Sequence, residues 1–120
     1  MQESLREFGQ ALGHSIAVRN RRADGGIHVY HYRRSDKHEP PYAVWMETGE
    51  RGAFPANNRK HTQVVEGQIL YYTKQEFDET VDTIQTFLTN QCGATWELED
   101  VSFDVETSTI IYTWRFELNV

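Results

Sequence analysis

The chain has 120 residues, a net charge of −6, a hydrophobic share of 38% and an aromatic share of 12%. That length suits one domain, residues 1–120, around a single modest core, and the composition excludes a disordered chain. No apolar run reaches the ~18–20 residues of a membrane span, and the opening "MQESLREFGQALGHSIAVRN" contains acids and no apolar block, which is not a signal-peptide pattern.

The charge is unevenly placed. Residues 1–60 hold ten Lys/Arg against seven Asp/Glu, whereas residues 61–120 hold two against eleven. An acidic half argues against a general nucleic-acid binder. Such a chain can stack copies head to tail, basic patch on acidic patch. The simpler reading is a solvated acidic helix face beside an arginine-rich loop. Cys92 is the one cysteine, so an internal disulfide and a thiolate zinc cluster are excluded and a cytoplasmic setting is expected.

In chain order, residues 4–17 suit a helix. Leu5, Phe8, Leu12 and Ile16 fall on one face of a 3.6-residue period, with Ser4 as N-cap and Glu7 completing a capping box. Asp24-Gly25-Gly26 is a turn, and "IHVYHYR" (27–33) is a strand rich in β-branched and aromatic residues. "RSDKHEPP" is a loop, "YAVWMET" (42–48) a second strand, and "GERGAFPANNRKH" (49–61) a long polar loop of the kind that is functional or disordered.

"TQVVEGQILYYT" (62–73) is a long strand in which Gly67 marks a bulge or a close backbone approach. The T-x-x-E pattern of Thr73 and Glu76 predicts a helix start after Thr73, with Tyr72 and Phe77 closing a hydrophobic staple. Phe77, Val81, Ile84 and Leu88 then make an apolar stripe widened by Phe87, the acids Glu76, Asp78 and Glu79 sit in the first turn, and Gly93 supplies the stop. In "ATWELEDVSFDV" (94–105) the apolar parity changes near Glu99-Asp100, which predicts a bulge. After a turn at "ETS", Ile110, Tyr112, Trp114, Phe116 and Leu118 share one parity, as on a half-buried antiparallel strand. The predicted order is α-β-β-β-α-β-β. This is an α+β single domain, with a five-stranded antiparallel or mixed sheet and a helix packed on one face.

No constellation in the sequence carries catalysis, a metal or a cofactor. His28 and His31 are three apart, so on a strand they point to opposite faces, and no third ligand has suitable spacing. Cys92 ends a helix in the acidic half without an activating base, as a structural thiol does. Glu97 and Glu99 share a strand face, where solubilising charge is the ordinary role. "HVYHYRR" interleaves aromatics and arginines like a base-stacking platform, although alternating tyrosines are also common in strands.

The segments "VYHY" (29–32), "PPYAVWMETGE" (40–50), "NNRKHTQVVEGQILYYTKQEFDETVDTIQTFL" (57–88) and "WELEDVSFDVETSTIIYTWRFEL" (96–118) carry a family resemblance. The chain resembles the small tail-terminator, or tail-completion, proteins of long-tailed bacteriophages and prophages, often called minor capsid proteins. The resemblance runs from about Ile27 to the C-terminus. It implies a non-enzymatic virion protein, without cofactor, assembled in the bacterial host cytoplasm. Copies would form a ring, expected to be a hexamer, on the end of the tail tube. The ring would contact the tail-tube protein and the head connector, and DNA would only pass through it.

Under that resemblance the first candidate for subunit or tube contact is the loop from Gly49, with Glu50, Arg51, Phe54, Asn57, Asn58, Arg59 and Lys60. The second is the strand and loop carrying His31, Arg33, Arg34 and Lys37. A head–tail connector or neck protein is the alternative in the same class, and a small nucleic-acid-binding module is the alternative outside it.

Overall fold

The computed structural model describes residues 2–19, 27–32, 39–51 and 64–119. The elements are α1 (Gln2–Arg19), β1 (His28–His31), β2 (Tyr42–Arg51), β3 (Val64–Thr73), α2 (Glu79–Cys92), β4 (Trp96–Asp104) and β5 (Thr109–Asn119), in the predicted order. The strands form one mixed sheet in the order β1-β2-β3-β5-β4. β1 runs parallel to β2, and the other neighbours are antiparallel.

Strand periodicity assigns the two faces. Along β3 every second residue from Val65 to Thr73 is buried, which is the period-2 signature of a strand covered on one side. Trp114, Phe116 and Leu118 of β5 and Ala43 and Trp45 of β2 join that face. Both helices lie on it. Leu5, Phe8, Leu12 and Ile16 of α1 pack with Ile84, Phe87 and Leu88 of α2 into the same core. Two indole N–H groups tie α2 to the sheet: Trp114 donates to Gln85 Oε1 at 3.2 Å and Trp96 to Thr89 Oγ1 at 3.0 Å. Each gives a large ring both an apolar seat and a polar partner.

Gly67 is the close approach that its place in a strand suggests. A Cβ there would collide with the Phe116 ring and lie 2.6 Å from the Met46 carbonyl oxygen. The bulge belongs to the partner strand, where the β2 register shifts between Glu47 and Gly49. Gly67→Ala should therefore cost about 1–3 kcal/mol through overpacking. A chemical-denaturation midpoint equal to that of the unchanged protein would refute the contact. The second predicted bulge is also present, between Leu98 and Asp100.

Four local expectations are corrected. α1 begins at Gln2, so Ser4 lies inside the helix instead of capping it; Leu5 is already packed on the core, and the turn before it is helical too. β1 is shorter than 27–33, because Tyr32 turns to a φ of 73° and leaves the strand. β2 runs on through Gly49, Glu50 and Arg51, because β3 offers Glu66, Val65 and Val64 as pairing partners beyond the bulge. The fourth correction concerns the β3–α2 joint.

Thr73 does not cap α2, and Glu76 makes no box with it. The N-cap is Asp78, whose carboxylate accepts from the Thr80 backbone N–H at 2.9 Å. The Thr73 hydroxyl instead donates to Asp78 Oδ2 at 2.8 Å and accepts from the Gln75 N–H at 3.1 Å. Phe77 has a φ of 56° and is 89% exposed, so neither a staple with Tyr72 nor a place in the core stripe exists. The stripe of α2 is Thr80, Ile84, Phe87 and Leu88, with Val81 at its margin. Gly93 ends the helix as expected, at a φ of 62°, with its N–H donating to the Thr89 carbonyl.

Candidate functional site

Of the first candidate loop, Gly49, Glu50 and Arg51 are strand residues. Gly49 and Glu50 are exposed at the far end of β2. Phe54, Asn57, Asn58, Arg59 and Lys60 lie outside the described residues. So do Arg33, Arg34 and Lys37 of the second candidate, leaving His31. His31 stacks on Trp45 at 3.9 Å and 12°, and on Tyr32 at 4.0 Å and 22°. Its Nε2 donates to Glu47 Oε2 at 3.0 Å, so that nitrogen carries a proton.

His31 forms part of a groove of about 720 Å³ between α1 and the β1 edge of the sheet. The walls include Leu5, Val29, Trp45 and Tyr32, with Arg6 and His14 at the polar margin. Two glycines shape its helical wall. A Cβ on Gly9 would lie 2.5 Å from Trp45 Cζ2, so only glycine lets α1 approach that indole. One turn on, Gly13 faces open space, with nothing within 4 Å of a Cβ. Two glycines four residues apart inside an amphipathic helix are costly and invite a packing reason. That was the signal in the sequence that could have found this groove.

The opposite edge of the sheet carries a different feature. β4 is the edge strand on this side, and α2 runs beside it, tied to β3 through Asp78 at one end and to Trp114 and Trp96 further along. Register places Leu98, Val101 and Phe103 opposite Trp114, Tyr112 and Ile110, on the helix-bearing face at its outer edge. Leu98, Val101, Phe103 and the turn residue Val105 are all exposed. Sequence reading found the parity change here but not that the apolar side is left bare.

On the opposite face, His28, Tyr30, Tyr42 and Tyr72 make a ladder of ring contacts with centroids 4.6–6.2 Å apart. Of the interleaved segment only His28 and Tyr30 belong to this ladder, since Tyr32 stacks on His31 and Arg33 and Arg34 lie outside the described residues. The same face carries an acidic cluster toward the other end of β3. Arg115 lies 3.2–3.8 Å from Glu66, Glu97 and Glu117, and Glu99 accepts from the Gln68 amide at 3.1 Å. Three carboxylates around one guanidinium repel phosphate, and Glu97 and Glu99 both take part in this surface network.

Asp78 and Tyr71 are buried together at the start of α2, and Cys92 is half-buried at its end. Asp78 accepts from the Tyr71 hydroxyl at 2.6 Å as well as from Thr73 and Thr80. Burial pushes its pKa up, but the bonds from Tyr71, the Thr80 N–H and Thr73 outweigh that and hold it below the ordinary carboxylate value. Burial and the neighbouring Asp78 push Tyr71 up. Burial also raises the Cys92 thiol to about 11, so it is protonated at neutral pH, as suits a packing residue. No helix among the described residues is long and apolar enough to cross a membrane.

Compared with known proteins, the chain matches no family model and no curated protein.

Proposed function

We propose that the protein is a structural assembly subunit of the phage tail-terminator kind, which caps a tail tube as a ring of copies and contributes to head–tail joining. The observation that carries this reading is the bare apolar row Leu98–Val101–Phe103–Val105 along the β4 edge and its turn. Such a row, bordered by charged residues, marks a surface made to be covered by another macromolecule. The sequence segments that resemble tail terminators give that assembly its class. The acidic second half suits a ring through which DNA slides without sticking. A nucleic-acid-binding role is less well supported, because residues 61–120 hold eleven Asp/Glu against two Lys/Arg.

Sedimentation velocity across protein concentration is the direct check. A shift from the 14.0 kDa chain to a ring of about six copies is expected. Electron microscopy of tails assembled without the protein gives the second arm, with abnormally long tails expected. Tails of normal length that fail to join heads would replace this reading with that of a neck protein.

A further inference from the structure

We propose that β4 binds an extended, basic segment of a different protein, which joins the five-stranded sheet as a further strand with Lys or Arg alternating with apolar residues. The inference rests on the assembly reading above, in which another macromolecule covers the bare row of β4, and it names the chemistry of that partner.

β4 is an outer strand and pairs with β5 alone among the described residues. An outer strand leaves half of its backbone N–H and C=O groups without a strand partner, and an extended peptide can satisfy them. The outer strand on the other side, β1, has four residues against nine in β4, so β4 offers the longer ladder. Beyond the bulge its register runs without interruption from Asp100 to Asp104, and every β4 residue after Trp96 is exposed.

The side chains select the partner. Leu98, Val101 and Phe103 stand on the helix-bearing face and are 42%, 49% and 58% exposed. Asp100 and Asp104 stand on the other face by register, with Glu97 and Glu99, which meet Arg115 and Gln68 there. Arg115 is shared with Glu66 and Glu117, so negative charge stays in excess around it. Lys74, at the end of β3, lies 3.5 Å from Glu39, and residues 96–109 hold no Lys or Arg. A strand laid beside β4 therefore meets apolar groups on one face and carboxylates on the other. Cross-strand neighbours interact face by face, and opposite charges there attract. The complement is a strand with apolar residues at one parity and cations at the other.

This chain does not contain such a segment. Two of its cations stand two residues apart only at Arg19 and Arg21, with the polar Asn20 between them. A second β4 would set carboxylates against carboxylates. Charge and pattern together point to a different polypeptide.

The probe is a fluorescein-labelled peptide of alternating lysine and valine, matched to β4 in length and added to the full chain. Saturable binding by fluorescence anisotropy is expected, with slowed hydrogen exchange at the backbone amides of residues 100–104. Three controls should each bind about tenfold more weakly. One has its lysines and valines separated into two blocks, one alternates glutamate with valine, and one is N-methylated at every residue. Asp100→Lys, at an exposed position, should keep the melting temperature and also bind the alternating peptide about tenfold more weakly. Equal binding of the block peptide, or no effect of Asp100→Lys, would overturn the proposal in favour of diffuse charge attraction. Undiminished binding of the N-methylated peptide would overturn strand addition. Slowed exchange at the same amides on self-association, without peptide, would make a second copy the occupant and overturn the proposal. If the alternating peptide does not bind while the protein still forms rings, this contact falls and the assembly reading stands. If it binds as described but tails keep their length without the protein, the contact stands and the tail-terminator reading falls.

Discussion

Replacing Phe8 by alanine should cost about 3–5 kcal/mol of stability, the range for deleting a fully packed aromatic ring. Phe8 joins four elements. Its ring meets Trp45 of β2 at 5.4 Å, Phe87 of α2 at 5.1 Å and Phe116 of β5 at 4.8 Å. Two of those contacts are edge-on and the third is stacked, the geometries that ring quadrupoles favour. Domains of this size have about 5–15 kcal/mol in total, so the loss is a large share. Urea unfolding should show a lower midpoint at an unchanged slope. A double-mutant cycle with Phe87→Leu should leave about 0.5–1.5 kcal/mol of coupling. A cost below ~1 kcal/mol would mean that α1 is not docked through Phe8.

The second large effect is expected at Asp78. Asp78→Ala removes the cap of α2 and leaves the Tyr71 and Thr73 hydroxyls without their acceptor. Cap loss and buried orphaned donors together amount to about 3 kcal/mol. For a domain of this length that lowers the melting temperature by roughly 10 °C. The effect depends on pH with a definite sign. The folded carboxyl titrates below its unfolded value, so its stabilisation is complete above about pH 4–5 and is lost as pH falls through the folded pKa. The gap between the unchanged protein and Asp78→Asn should be flat near neutrality and narrow in acid. A gap that widens in acid would contradict the depressed pKa.

The contrast between those two residues explains what could be read from the sequence. Phe8 announces itself, because Leu5, Phe8, Leu12 and Ile16 recur at the helical period and all four are buried. The same holds for Trp114, Phe116 and Leu118 at the strand period, and for the bulge where parity fails. Periodicity reports burial, and burial dominates these elements.

The β3–α2 joint defeats that logic, because two patterns compete there. Thr73-x-x-Glu76 has the form of a capping box, and Phe77 falls in phase with Val81, Ile84 and Leu88. The outcome is decided by Tyr71 and Thr73, which lie two apart on the buried face of β3 and present both hydroxyls to one carboxylate. Asp78 satisfies both and caps the helix, so the chain turns later and Phe77 is left outside. The sheet order, with β4 at the edge and β5 inside, has no local signature at all. Neither has the groove, whose walls come from elements far apart in the chain.

The bulge between Leu98 and Asp100 has a further consequence at the outer rim of the sheet. β4 is a nine-residue edge strand, and a long flat edge is a template on which another chain can add its own backbone. Here the rim is bent by the bulge and carries Glu97, Glu99, Asp100 and Asp104, whose like charges resist a second copy laid alongside. Copies are thereby denied fibril growth by strand addition and are left to meet through side chains.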